Sequence, residues 1–244
     1  GFFRVGAGAK YHVGDVVSIN LNPGFDLGVV SLTGELVRSQ MSSRKVRDDH
    51  EIKRIMHKST VEEIEVWHKA RQREETTRMQ AREIIKRLGI PMKLTDVEFQ
   101  GDNKKATFYY IADERVDFRE LVREFAGKFG IRIDMRQIGA RQEAARVGGI
   151  GSCGRELCCS VWLSDFRSVS TGAARYQQLA LDPIKLAGQC GKLKCCLNFE
   201  LDQYVEAVKE FPSPHAKILT QKGKAVVFKM DIFKRIVYFL QLGE

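Results

Sequence analysis

All six cysteines of this 244-residue chain fall within 44 residues, in two copies of one pattern. Gly151-Ser152-Cys153-Gly154-Arg155-Glu156-Leu157-Cys158-Cys159 returns as Gly188-Gln189-Cys190-Gly191-Lys192-Leu193-Lys194-Cys195-Cys196, and both read G-x-C-G-(R/K)-x-x-C-C. Thiolates hold zinc and iron–sulfur clusters. A glycine beside a thiolate lets backbone N–H groups approach the sulfur, and a nearby Arg or Lys offsets the negative charge of the site. The candidate ligands are therefore Cys153, Cys158, Cys159, Cys190, Cys195 and Cys196, supported by Gly151, Gly154, Arg155, Gly191 and Lys192.

Three readings of the thiols stay open: a metal or cluster site, regulatory thiols or disulfides, and packing. Six cysteines in 244 residues are too sparse for a disulfide-stapled secreted scaffold. Free cysteine buries readily, which accounts for single cysteines better than for a duplicated C-x4-C-C. The spacing departs from the C-x2-C of zinc ribbons. Adjacent cysteines on a helix point about 100° apart, so Cys158 and Cys159 would not chelate one ion together. One four-thiolate site leaves two cysteines over, and two such sites need eight; spare thiols or ligands from another chain resolve the count.

Catalysis finds little support. No GxSxG, HExxH, P-loop or GxGxxG-plus-acid pattern is present, nor the C-x-x-C of a thiol oxidoreductase. The five histidines, His12, His50, His57, His68 and His215, lie outside the cysteine segment and are read as solvated or packed. The chain is expected not to be an enzyme.

The elements that must position these thiols give an α+β reading in five parts. Residues 1–44 alternate in the manner of strands, with Val16–Leu21 and Leu27–Leu32 flanking an Asn22-Pro23-Gly24 turn. Residues 212–244 are again β-rich at 217–220, 225–230 and 236–240, and are expected to complete with 1–44 a small β-barrel built from both termini. Residues 45–90 mix Lys, Arg and Glu and predict a helical hairpin, with one arm near 46–58 and a longer one near 60–88. Ser59-Thr60-Val61-Glu62 would form its capping box, and Gly89 and Pro91 would end it. The charge of this hairpin suits either a solvated face or an arm for a protein partner.

Residues 91–138 read as a β–β–α–β module. Phe118, Leu121, Val122, Phe125 and Phe129 draw one apolar face of a helix that Asp117 and Glu120 would cap and Gly130 would end. The aromatic run Phe108-Tyr109-Tyr110 could stack bases, but core packing explains it better. Residues 139–211 form the helical and loop cysteine segment, in which Gly148, Gly149 and Gly151 permit tight backbone and 202–211 form a helix.

Several stretches together carry a family resemblance: Ile138-Gly139-Ala140-Arg141-Gln142, Gly148-Gly149-Ile150-Gly151, Cys153-Gly154-Arg155, Cys158-Cys159, Gln189-Cys190-Gly191-Lys192-Leu193 and Cys195-Cys196-Leu197-Asn198-Phe199-Glu200. In these, and in Gly24-Phe25-Asp26-Leu27-Gly28, the chain resembles the polymerase-suppressor C-terminal domain family in its RicT (YaaT) branch. The resemblance implies a cytoplasmic adaptor, not an enzyme, that assembles with small RicA- and RicF-like proteins into a complex carrying [4Fe–4S] clusters. It further implies action with an RNase Y-type endoribonuclease in mRNA processing and turnover. Cys153, Cys158, Cys159, Cys190 and Cys195 would be ligands, with Cys196 completing the pair and ligation shared between chains. The competing class is a nucleic-acid-binding protein in which zinc or a cluster is purely structural.

Composition bounds these readings. Lys and Arg number 40 against 31 Asp and Glu, and the net charge of +9 suits a polyanion, RNA or DNA, or an acidic protein, without choosing among them. No apolar run approaches the ~20 residues that cross a bilayer, so no membrane insertion is expected. The chain starts at Gly1, not Met, so it is expected to be a trimmed protein.

Overall fold

In this computed structural model, residues 1–6, 8–21, 23–49, 52–213 and 215–242 are described. Asn22 of the expected turn and His50 lie outside them. The fold is mixed α+β and divides into two units, Gly1–Val147 and Gly148–Glu244.

The first unit opens with β1 (Val16–Asn20) and β2 (Phe25–Val29), then α1 (Glu35–Ser43) and β3 (Ile55–Lys58). The strands form an antiparallel sheet in the order β2-β1-β3. Two expectations fail here. The 46–58 arm of the helical hairpin is not a helix: its last four residues are β3, held by the β1 edge, while α1 lies earlier in a stretch read as strands. β-branched Ile55 pairs with Ile19, and this long-range pairing overrides the charged composition that suggested a helix.

The second arm is α2 (Val61–Arg87), 27 residues long. Its cap is shifted by one residue from the expected box. Thr60 Oγ1 accepts from Glu63 N at 3.3 Å, and Glu63 Oε2 accepts from Thr60 N at 2.9 Å. Ser59 N donates to Val16 O, so Ser59 still belongs to the strand ladder and Thr60 is the first residue able to cap. Ala70, Thr77, Ala81, Ile84 and Ile85 form the buried stripe of this helix.

The β–β–α–β reading holds: β4 (Lys93–Phe99), β5 (Lys105–Ile111), α3 (Arg119–Phe129) and β6 (Arg132–Gln137) follow in order, then α4 (Ala140–Val147). β4 and β5 are antiparallel, whereas β5 and β6, joined through α3, are parallel. Gly130 ends α3 in the left-handed conformation, with φ 66°. The expected Asp117–Glu120 box does not form. Asp117 turns to Arg119, accepting from its backbone N at 3.1 Å and from its guanidinium at 2.6 Å, and this holds the Asp117 carboxyl down at about 2. Phe108 and Phe125 are fully buried and stack with ring centroids 4.7 Å apart. Tyr109 and Tyr110 are buried as well, so the aromatic run is core and offers no face to a base.

The two sheets of this unit dock through glycine. Asp26 Oδ1 accepts from Gly101 N at 3.0 Å, and Gln100 Nε2 donates to Pro23 O at 3.0 Å. A Cβ on Gly101 would stand 2.8 Å from Leu27 Cδ1 and 3.0 Å from Leu27 N. Burial raises the Asp26 carboxyl above its ordinary value, against the two backbone N–H groups that lower it.

In the second unit five short helices precede a sheet. They are α5 (Cys158–Val161), α6 (Thr171–Tyr176), α7 (Pro183–Leu186), α8 (Cys196–Phe199) and α9 (Leu201–Val208). Ala173, Ala174, Leu186 and Leu197 make their small core, with Val169, Leu193 and Leu201 against it. β7 (Lys217–Thr220), β8 (Gly223–Asp231) and β9 (Ile236–Gln241) follow as an antiparallel sheet.

The expected barrel from both termini is absent. Each of the three sheets is a separate three-stranded sheet, and none closes. The strand-like alternation near both ends is real, but each end satisfies its ladder within its own three strands. Among the described residues no helix is long and apolar enough to cross a membrane.

Candidate functional site: a duplicated thiol loop

Each cysteine motif folds into the same tight loop. In the first, Gly151 N donates to Arg155 O at 2.8 Å and Gly154 N to Gly151 O at 3.0 Å. In the second, Gly188 N donates to Lys192 O at 2.8 Å and Gly191 N to Gly188 O at 3.0 Å. An isolated bridge closes each base, Ile150 with Glu156 and Ala187 with Leu193. Gly154 and Gly191, each following the first cysteine of its motif, have φ 77° and 72°; this left-handed turn is the reason for the Cys-Gly pair. A one-turn helix then begins at the double cysteine, α5 at Cys158 and α8 at Cys196 with Cys195 as its cap.

The two loops are related by a constant offset of 37 positions, and equivalent residues meet each other. Trp162 and Phe199 pack edge to face with centroids 4.5 Å apart. Cys195, the counterpart of Cys158, is among the groups that push the Cys158 thiol up. Contact of like with like is the mark of a local twofold arrangement. Gln189 Nε2 also donates to Ile150 O, tying the second loop to the first; its counterpart Ser152 is short and exposed.

The six cysteines are thiols, with no disulfide between any two. Cys153 is exposed and the other five are half-buried. Burial pushes the Cys158 thiol up first, followed by the neighbouring Cys195 and Cys153. Burial likewise raises Cys196, with Glu200, Cys158 and Cys195 adding to it. Cys153, Cys158, Cys195 and Cys196 thus share one electrostatic neighbourhood drawn from both motifs. Arg155 and Lys192 are exposed. His57, by contrast, lies far along the sequence in the first unit, where its Nε2 is 3.1 Å from Glu63.

Comparison with known proteins falls on both units. The PSP1 C-terminal conserved region matches residues 53–138, and the third domain of PSP1-like proteins matches residues 168–211. The stage 0 sporulation protein YaaT of Bacillus subtilis is 46% identical over 149 residues, 61% of this chain and 54% of that protein. The chain belongs to the PSP1 family, in its YaaT branch.

Protein PSP1 of Saccharomyces cerevisiae is 48% identical over 42 residues, 17% of this chain and 5% of that protein. An uncharacterized protein of Schizosaccharomyces pombe is 37% identical over 83 residues, 34% of this chain and 11% of its own length. The chain spans about half the length of the YaaT relative. No solved structure matches it. The PSP1 C-terminal region thus maps onto β3, α2 and the β–β–α–β module, upstream of the cysteine segment that carried the strongest sequence resemblance.

As a donor set for a metal group, the thiol loops of this PSP1-type chain fit in chemistry. Soft sulfur donors from two equivalent loops converge on Cys158 and Cys195, and both loops are built on glycine. They are not drawn to ligand distance: among the described residues no group of three or more His, Cys, Asp or Glu is placed to hold a metal ion.

Reading the sequence alone missed Phe199 and Gln189, which join the loops, and Gln177, which is buried and donates to Leu197 O at 2.6 Å. Carrying the 37-residue offset past the cysteines would have aligned Trp162 with Phe199. Gln177 has no counterpart signal, because its role depends on where α8 lies.

Proposed function

We propose that this chain is a non-catalytic, cytoplasmic adaptor whose duplicated thiol loop holds a [4Fe–4S] cluster and couples it to assembly. The partners are RicA- and RicF-like small proteins, and the assembly steers an RNase Y-type endoribonuclease in mRNA processing and turnover. Membership of the YaaT branch supports the regulatory class, and the Bacillus subtilis relative is named for a developmental programme, sporulation. The observation that carries the reading is the packing of two equivalent thiol loops through Trp162 and Phe199, with Cys195 among the groups that raise the Cys158 thiol.

Cys153, Cys158, Cys195 and Cys196 would hold the cluster from this chain, and Cys159 and Cys190 remain for ligation shared with a partner. When bound, the cluster supplies a redox- and iron-responsive centre. The chain's own residues do the rest. Gly154 and Gly191 turn the loops tightly, Arg155 and Lys192 place positive charge beside anionic thiolates, and Trp162 with Phe199 holds the two loops together.

The test is anaerobic purification of the chain, alone and with RicA- and RicF-like proteins, with iron, sulfide and zinc analysis and a visible spectrum. Iron and sulfide with a broad visible band, and partner retention that both disappear in Cys195→Ser, are expected. Stoichiometric zinc without visible absorption would overturn the cluster, and partner binding unchanged by Cys195→Ser would overturn the coupling.

A further inference from the structure

The β7-β8-β9 sheet presents a face that the thiol loops do not use. Register assigns its two faces. Ile218 pairs with Ala225, and Val227 pairs with Phe239. Ala225 and Val227 are buried, so this is the inner face. Lys217 and Leu240 both pair with Val226, Leu219 pairs with Lys224, and Lys229 pairs with Tyr238; these residues form the outer face. A register shift between Val227 and Lys229 leaves Phe228 as an extra residue opposite Tyr238, on the same side as Lys229.

This outer face is unusually apolar for one open to solvent. Phe228 is 70% exposed, Leu219 82%, Leu240 54% and Tyr238 44%. Lys217, Lys224 and Lys229 are exposed among them; among the described residues of this face the acidic one is Asp231, paired with Ile236. Apolar side chains this exposed on a sheet mark a surface that is covered in use.

We propose that this face binds single-stranded RNA. Aromatic rings on an open sheet stack unpaired bases of any sequence, and lysines between them follow the phosphates. Phe228 and Tyr238 are the stacking groups. Lys217, Lys224 and Lys229 are the phosphate contacts, while Leu240 and Leu219 supply apolar floor. Charge selects the occupant: three lysines against one aspartate favour a polyanion over an apolar protein surface. The aromatics select a single strand, because a duplex hides its base faces. The choice of RNA over DNA rests on the adaptor reading above.

The experiment is fluorescence anisotropy of a labelled oligouridylate of about twelve nucleotides, within the span one sheet platform covers, titrated with the full chain. Oligodeoxythymidylate and duplex RNA of the same length serve as comparisons. Saturable binding is expected, with the duplex weaker. Phe228→Ala and Tyr238→Ala should each weaken it about tenfold, as loss of one stacked base does. Lys224→Glu and Lys229→Glu should weaken binding and flatten its salt dependence, whose slope for three phosphate contacts is about −2.

Absence of saturable binding at about 100 μM chain, the weak end of non-specific affinity, overturns the proposal. So does binding that Phe228→Ala leaves unchanged, or binding equal for duplex and single strand. Equal binding of the deoxy strand overturns the choice of RNA alone. The assay contains no partner and no iron, so its failure leaves the adaptor reading standing, and failure of cluster binding leaves this proposal standing.

Discussion

Trp162 and Phe199 occupy the same place in two copies of one motif, and they touch each other edge to face at 4.5 Å. Both are more exposed than core aromatics, at 50% and 59%. Their pairing therefore joins two loops at a surface, and loss of either ring should loosen the loops without unfolding the chain. A double-mutant cycle of Trp162→Ala and Phe199→Ala, read by thermal unfolding, is expected to give a coupling of about 0.5–1.5 kcal/mol. A coupling near zero would mean that the rings are neighbours without energetic consequence.

Gly101 sits where the β4–β5 turn meets β2. A methyl group there would press on the Leu27 backbone N at 3.0 Å, and backbone has little room to yield. Gly101→Ala should destabilise the first unit by about 1–3 kcal/mol, seen as a lower urea midpoint with unchanged slope. Gly89→Ala has open space around it, and its φ of 63° leaves conformational strain alone, so its cost should be smaller.

Asp26 gives a pH dependence with a defined sign. Burial raises its carboxyl in the folded chain, so the folded state binds more protons than the unfolded state between the ordinary carboxylate value and the raised one. Stability from this group is then highest below about pH 3.9 and falls as pH rises through the folded value, above which it is flat. Asp26→Asn keeps an acceptor for Gly101 N and Leu27 N while removing the buried charge. Urea titrations of both forms from pH 3 to 7 should show the variant gaining on the parent as pH rises; a constant difference would refute the assignment.

Arg146 ties α4 to β4. Its Nη1 lies 3.0 Å from Asp96 Oδ2 and its Nη2 3.4 Å from Glu98 Oε2, while the guanidinium stands 3.6 Å from the Tyr109 ring centroid. One planar fork thus serves two carboxylates and a ring, a geometry an ammonium cannot reproduce. Arg146→Ala should cost about 1–2 kcal/mol, and Arg146→Lys should recover only part of it. Full rescue by lysine would reduce the contact to simple charge.

Thiol reactivity in the metal-free, reduced chain should follow exposure and burial. Cys153 is exposed, whereas burial raises Cys158 and Cys196. Iodoacetamide labelling at pH 7.5, followed by peptide mass spectrometry, should modify Cys153 before either of these. Cys195→Ser should speed labelling of Cys158 by removing its thiol neighbour. Uniform labelling of all six would mean that the loops are open in solution.

Much of this protein was legible in its sequence wherever the signal is local. The apolar stripe of α2, the Gly130 stop of α3 and the alternation of β4 and β5 follow from side-chain period and backbone freedom within a few residues. The cap of α2 lies one residue later than the sequence pattern suggests, because Ser59 and Thr60 can both cap and Val16, whose carbonyl takes the Ser59 N–H, decides between them. The 46–58 arm misled because charged composition suits a helix as well as an edge strand, and Ile55 is decided by its pairing with Ile19.

By itself, the sequence determined that there are two equivalent thiol loops, since Gly-x-Cys-Gly closes the same short hydrogen-bonded turn, with a left-handed second glycine, in both copies. It also determined the family and the α+β class. Tertiary structure alone decided that Cys158 and Cys195 share one neighbourhood, that Trp162 meets Phe199, and that Phe228 and Tyr238 face outward from a sheet that never closes into a barrel. The reason is physical: period and turn chemistry specify an element and its apolar faces, but the same alternation describes a strand whose second face is covered and one whose second face is open. Which surfaces meet is settled by non-local packing, and no local pattern carries it.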